Sequence, residues 1–410
     1  MNEHLAICIS NKVNKEHLID CIQNETKLGT WSHLKGALFS EISINKYIKE
    51  ERLHGSCNVQ TVSGNSLEFS SQGERKKALL NYIISKKPEY IIVDNVFGNL
   101  DVQSQEEIIK TLSKLSHKAI IIQILKRQED LLPFIDKTYQ FDNGNLIEYT
   151  IEAEQVEINS APFYVELPQA YRSFTDQINP IVKFTNVSVD YRERPILAAI
   201  NWEIKAGEFW QLKGPNGSGK STILSMIFGD NPKAFGQDIT LFGIKKGSGE
   251  SVWEIKQKIG YFSSDMLRGF TRLDSIGNMI VSGFFDTIGL YKTPTNEQIK
   301  IAQHWLRVLD MFDIRKQDFL SLSKGYQSLV LIARAMVKHP PLLILDEPTN
   351  GLDDADVKLF TALINKIAKE TETAILYVSH RTENGLNPDF IYELIPYESG
   401  SKGQVILTKH

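Results

Sequence analysis

Cysteine is scarce in this sequence. Cys8, Cys21 and Cys57 are the three in 410 residues, and none shows a CxxC or Cys/His ligand spacing. That argues against a disulfide framework and a thiolate metal site, and it predicts reduced, buried thiols in a cytosolic protein. Long apolar runs are missing too. No window reaches the roughly eighteen apolar residues of a membrane span. The apolar run within the opening MNEHLAICIS is too short for a signal peptide. Contact with a membrane is therefore expected only through a partner. Nor is there an excess of positive charge. Lys and Arg number 46 against 50 Asp and Glu, net −4, so no global basic field points to nucleic acid or anionic lipid.

What is present is an ordinary globular composition, 42% hydrophobic and 23% charged. The chain is too long for one ordinary domain and about right for two. Strand-like apolar runs alternate with helix-period segments in both halves: LAICIS, YIIVD and AIIIQIL in the first, EFWQLKG, LLILDE and AILYVS in the second. This alternation predicts parallel α/β sheets. Residues 151–180 carry no clear period, contain three prolines and several glutamates, and read as a linker, partly extended and packed on a domain surface. An internal repeat is also visible. FSSQGERKKALLNYIISKKPEYIIVDNVFGNLD at 69–101 matches SLSKGYQSLVLIARAMVKHPPLLILDEPTNGLD at 321–353 without a gap, with Ser71 on Ser323, Gly73 on Gly325, Asp94 on Asp346 and Asp101 on Asp353. The chain reads as a tandem duplication.

The second half carries the chemistry. GPNGSGKST at 214–222 fits GxxxxGK[ST], after the strand EFWQLKG and before the helical ILSMIFG. Gly214, Gly217 and Gly219 let backbone N–H groups turn inward, and with Pro215, Asn216, Ser218 and Thr222 they form a cradle for phosphates. Lys220 neutralises the β/γ charge, Ser221 reaches Mg²⁺, and the helix N-terminus adds its partial positive charge. LLILDE at 342–347 carries Asp346 to the C-terminal edge of an apolar strand, where it can hold magnesium through water. Glu347 follows as the base for an attacking water.

LSKGYQ at 322–327 precedes that strand, and AILYVSH ends with His380 after another. The order P-loop, LSxGxQ, DEPTxGLD, SH resembles that of ATP-binding cassette (ABC) proteins over about residues 181–395. The resemblance implies an ATPase using ATP and Mg²⁺. It implies that Tyr191 stacks on the adenine, that Asn350, Gly351, Leu352 and Asp353 form the loop that touches the opposite half, and that His380 holds the γ-phosphate and water in line. One departure stands out: IGYFSSDM places Ser264 where the family usually has a glutamine. LFGIKKGSGESVWEIKQKIGYFSS, SGFFDTIGLY and LSKGYQ resemble the tandem cassettes of the ModF and photorepair PhrA family. That resemblance implies an ATPase that powers or regulates a separate membrane-spanning transporter subunit, with molybdate implied by name alone. A soluble cassette factor acting on ribosomes or DNA, and a module that closes on ATP with little turnover, are the alternative readings.

The first half departs further. ISNKVNKEHLI at 9–19 aligns on GPNGSGKSTIL at 214–224, with Asn11 on Asn216 and Lys15 on Lys220. Ile9, Lys12 and Asn14 replace the three glycines, and Glu16 replaces Ser221. A loop without glycine cannot turn its N–H groups inward, and Glu16 repels a triphosphate. Asn95 stands at the place of Glu347, and no His occurs between residues 120 and 130. From Lys15 to Ser71 is 56 positions, against 103 from Lys220 to Ser323, which predicts a much smaller helical insertion. SSQGERKK nevertheless keeps the signature. The resemblance implies that Ser71, Gln72, Gly73 and Glu74 cap the γ-phosphate bound at Lys220, one ATP per chain, by pairing of the halves within a chain or between two copies. The expected fold is α/β, a P-loop NTPase of two tandem cassettes. A truncated, degenerate one occupies 1–150, a linker 151–180, and a complete one 181–410.

Overall fold

The computed structural model describes all residues except 1–2, 25–30, 32, 63, 99, 101, 143, 150–162, 171–178, 193, 271–272, 382 and 409–410. Asp101 and most of the expected linker thus lie outside the described residues. The chain divides into two compact units, Met1–Glu157 with Gly351–Asp354, and Ile158–Asn350 with Ala355–His410.

The first unit is built on β1 (Leu5–Cys8), β2 (Gly36–Phe39), β3 (Tyr90–Asp94), β4 (Ile120–Leu125), β5 (Lys137–Asp142) and β6 (Asn145–Glu148), with α1 (Lys15–Asn24), α2 (Glu41–His54), α3 (Gln72–Ser85) and α4 (Val102–Ser116). The strands form one sheet in the order β2-β3-β4-β1-β5-β6, parallel except for the β5–β6 pair. Every residue of YIIVD in β3 is buried, as expected for a strand covered on both faces. Its alternate side chains feed two cores. Ile91 and Val93 join Phe39, Leu79, Leu112 and Ile121, while Ile92 joins Ile7, Leu18, Ile22 and Ile122. Ser71 starts α3 through a capping box, its hydroxyl bonded by the N–H of Glu74 while Glu74 takes the N–H of Ser71. Lys76, one turn on and 2% exposed, donates to the carbonyls of Asn95, Val96 and Gly98 and so fastens the loop after β3. The short stretch Gly351–Asp354 groups with this unit.

The second unit opens with β7 (Val182–Tyr191), β8 (Arg194–Ile204) and β9 (Phe209–Lys213), then α5 (Lys220–Ile227), β10 (Asp238–Leu241), β11 (Ile244–Lys245), α6 (Val252–Gln257), β12 (Ile259–Ser263), α7 (Met266–Gly269), α8 (Ile276–Val281), α9 (Asn296–Val308), α10 (Lys324–Met336), β13 (Leu342–Asp346), α11 (Asp354–Glu370), β14 (Ala374–Val378), β15 (Phe390–Ile395) and β16 (Lys402–Leu407). Its main sheet runs β12-β13-β14-β9-β15-β16, the same sequence of neighbours as in the first unit. A second, antiparallel sheet, β11-β10-β7-β8, has no counterpart among the described residues of the first. Val182, Phe184, Val187 and Val189 of β7 face inward onto α5 and the main sheet, with Trp202 stacked on Tyr392 at 4.4 Å. The described linker residues 163–170 are fastened to this unit. Leu167 donates to Glu370, and His304 and His339 bond the carbonyls of Glu166 and Pro168.

The two sheets agree in detail. Leu5 pairs with Ile122 as Trp210 pairs with Leu376, and Ile92 with Ile122 as Ile344 with Leu376. Six residues separate β1 from α1, and six separate β9 from α5. Left-handed backbone recurs at matched non-glycine positions, Lys87 and His339 (φ 47° and 50°) and Asn95 and Glu347 (φ 50° and 45°). The shortfall of the first half falls between α1 and α3, where β2 and α2 stand against β10, β11, α6, β12, α7, α8 and α9 between α5 and α10.

Candidate nucleotide site

In the second unit the loop between β9 and α5 has Gly217 and Gly219 in the left-handed region, φ 78° and 97°. Gly219 is also the N-cap of α5, and a Cβ there would lie 2.5 Å from Leu197. The chain thus reverses in a conformation only glycine adopts cheaply, leaving the amides at the start of α5 without a side-chain cap. Pro215, Asn216, Gly217 and Ser221 are exposed, Lys220 and Thr222 half-buried, and Gly214, Ser218 and Gly219 buried. Lys220 Nζ donates to the carbonyls of Gly214 and Pro215 at 2.6 and 3.1 Å. Tyr191, at the end of β7 and 41% exposed, accepts at its hydroxyl from Asn231, which also donates to Ser225 of α5.

The end of β13 supplies the acids, and the end of β14 supplies the groups that hold Glu347. Tyr261 of β12 donates to the Asp346 carboxylate at 3.3 Å. Burial and the neighbouring Glu347 charge push the Asp346 carboxyl up to about 6, with Asp265 adding to the rise and Tyr261 and Lys220 opposing it. Glu347 accepts from Ser379 Oγ at 3.2 Å and pairs with His380 Nδ1 at 3.1 Å. The residues fit a metal-bound triphosphate. Ser218 Oγ and His380 Nε2 are buried polar atoms with no hydrogen-bond partner, an arrangement expensive to keep unless a ligand satisfies it. The half-buried Asp346 carboxyl and the exposed Ser221 hydroxyl are hard oxygen donors of the kind Mg²⁺ takes.

The ABC transporter family matches residues 197–350. The ABC transporter ATP-binding protein ModF of Escherichia coli (strain K12) is 37% identical over 332 residues, 77% of this chain and 68% of that protein. The chain belongs to the ABC ATPase family. An ABC ATPase uses ATP with Mg²⁺, and this chain is one. It is similar as well to an uncharacterised ABC transporter ATP-binding protein of Schizosaccharomyces pombe, 28% identical over 77% of this chain and 66% of that protein. Among solved structures it is similar to cbiO1 from Clostridium perfringens, at 25% identity and TM-score 0.48, over 54% of this chain and 86% of that one. No helix among the described residues is long and apolar enough to cross a membrane.

The corresponding loop of the first unit is folded in on itself. Lys12 and Asn14 are absent from the left-handed residues of the chain. The N–H of Val13 bonds Ser10 O, that of Lys12 bonds Ser10 Oγ, and Asn14 Oδ1 takes the N–H of His17 in the first turn of α1. Lys15 donates to Asp94 at 2.8 Å, the side chains 29% and 5% exposed. Amides and ammonium are therefore occupied within the protein.

The two signature helices differ in a way the sequence did not announce. In α10, Gly325 packs so tightly on Asp356 that a Cβ would sit 1.9 Å from its carboxylate oxygen. In α3 the matched contact is Gly73 on Ser104, at 3.6 Å. An internal carboxylate thus already lies at the N-terminal turn of α10, where the helix favours an anion. On α3 the nearest acid is Glu74, exposed with Ser71 and held below the usual carboxylate range by hydrogen bonds from Ser71. Gln72 and Gly73 are half-buried beside it. Sequence reasoning also missed Tyr261, whose type carries no motif, the bond that Ser379 of the SH pair makes to Glu347, and Lys126. Strand register places Lys126 two residues past Ile124 as His380 lies two past Val378.

Proposed function

We propose that the protein hydrolyses one ATP per chain, held at Lys220 of the second unit and capped by the Ser71 signature of the first, and that turnover powers or regulates a membrane-spanning transporter subunit. The contrast between the two strand-to-helix loops carries this reading. One reverses around two left-handed glycines and starts its helix without a side-chain cap, its lysine bonded to loop carbonyls, and the other closes on Ser10 and Asn14 and commits its lysine to Asp94. The Asp356 carboxylate against Gly325 adds the matching asymmetry between the signatures, since a γ-phosphate brought there would meet a like charge.

In this site the amides of 214–222 and Lys220 bind the phosphates, and Tyr191 stacks on the adenine. Ser221 and Asp346 would hold Mg²⁺, which would supply positive charge to the phosphates. Glu347, oriented by Ser379 and His380, accepts the proton of the attacking water. His380 contacts the γ-phosphate through Nε2. Ser71 and the amide of Gly73 complete the cap from α3, for which Glu74 must swing away from Ser71. ModF carries transport in its name, and molybdate is the substrate to try first.

Equilibrium binding to the Glu347→Gln protein tests the stoichiometry. One ATP per chain is expected, and two would overturn the reading. Recovering the same protein from cells in ATP should bring down a membrane subunit. Ribosomes in its place would favour the soluble-factor reading.

A further inference from the structure

Glu383 is 2% exposed and Thr349 4% exposed, and Thr349 Oγ1 donates to Glu383 Oε1 at 2.6 Å. A buried carboxylate is expensive to keep, so its position matters. Thr349 lies two residues after Glu347, in the turn closed by the N–H of Asn350 on the Glu347 carbonyl. Glu383 lies three residues after His380, in a turn closed by the N–H of Leu386 on its own carbonyl. The bond therefore ties the loop after β13 to the loop after β14, which are joined a second time through Glu347 and His380. Its reach is felt by Tyr377 of β14. Burial, and then the Glu383 charge, hold the Tyr377 hydroxyl far above its ordinary value.

We propose that Glu383 is a positioning residue for ATP hydrolysis, holding the Glu347 loop and the His380 loop in register through its buried hydrogen bond with Thr349. A short charge-assisted bond between buried partners is stiff, and a shift of an ångström between base and γ-phosphate ligand costs about a hundredfold in rate. Neither Thr349 nor Glu383 belongs to the phosphate cradle of 214–222. Loss of the bond should therefore lower kcat and leave KM for ATP nearly unchanged. The inference rests on Glu347 and His380 being the hydrolytic pair.

The experiment compares Glu383→Ala, Glu383→Gln and Thr349→Val in the full chain, with active sites counted by ATP binding. Glu383→Ala and Thr349→Val are each expected to lower kcat per binding site by about tenfold or more, with KM within about twofold. The double variant should be no worse than either alone, as for two ends of one interaction. Glu383→Gln keeps an acceptor oxygen and should recover most of the rate. Thr349→Val serves if Glu383→Ala does not fold. Unchanged kcat per binding site in Thr349→Val, or additive losses, would overturn the proposal. Glu347→Gln and His380→Ala run beside them. If those two leave kcat intact, the assignment of the hydrolytic pair has failed; if they abolish turnover while Thr349→Val does not, the positioning role alone has failed.

Discussion

Asp346 shows how function is built against stability at a single residue. Its carboxyl titrates near 6 in the fold, above its ordinary 3.8, because burial and Glu347 disfavour the charge. A raised folded value means that the protonated form is the one the fold prefers. The associated stability is present in full below about pH 4 and is lost as the pH rises through 6, amounting to up to about 3 kcal/mol. Asp346→Asn should therefore raise the ligand-free Tm at pH 8, bring no gain at pH 4, and abolish Mg²⁺-dependent turnover. Thermal melts at the two pH values check the sign. Glu347→Gln is expected to lower kcat by about 10² or more while keeping ATP affinity, which separates the base from the metal-holding acid. Glu74 makes a further case at this scale. Its bonds to Ser71 compete with the proposed phosphate contact, so Glu74→Gln should lower the KM for ATP, as steady-state kinetics would show.

Among elements, the two strand-to-helix loops invite opposite expectations for matched lysines. Lys15 and Asp94 form a mostly buried pair, and removing one partner strands the other's charge. Lys15→Met should cost about 2 kcal/mol in urea unfolding, less than a wholly buried pair because Lys15 is partly exposed. Asp94→Asn in the same protein should restore part of that loss. Lys220→Met should leave stability almost unchanged and remove ATP binding. Sequence made much of this legible, because phosphate chemistry demands particular residue types at fixed spacing. GPNGSGKST, LLILDE and His380 could be placed before any coordinates, and so could the strands around them. The internal repeat could be followed only as far as the offset stayed constant. Ser71 to Ser323 and Asp94 to Asp346 are 252 apart, whereas the corresponding strands β4 and β14 match Ile124 to Val378, 254 apart. A gapless comparison stops before Lys126, so its place opposite His380 was hidden. Tyr261, Thr349 and Glu383 were hidden for another reason. Their roles come from hydrogen bonds between separate strands or loops, and neither a period nor the motif that contains Thr349 shows the partner.

At the scale of the molecule, two units share a sheet order, a register and a pattern of left-handed residues, yet their strand-to-helix loops differ, one turning at Gly217 and Gly219 and the other closed by Ser10 and Asn14. In the proposed mechanism the first unit has a single chemical task, the Ser71 cap, and the rest of the site belongs to the second. It follows that the signatures are not interchangeable, even though Ser71 and Ser323 begin their helices with almost identical backbone angles. The steady-state rate of ATP hydrolysis by Ser71→Ala, set against that of Ser323→Ala, tests this most directly. The account predicts that Ser71→Ala loses about tenfold or more in kcat, as for a lost transition-state donor, and that Ser323→Ala stays near the wild-type rate. Full activity in Ser71→Ala with loss in Ser323→Ala would contradict it, and would favour pairing of second units from two copies of the chain.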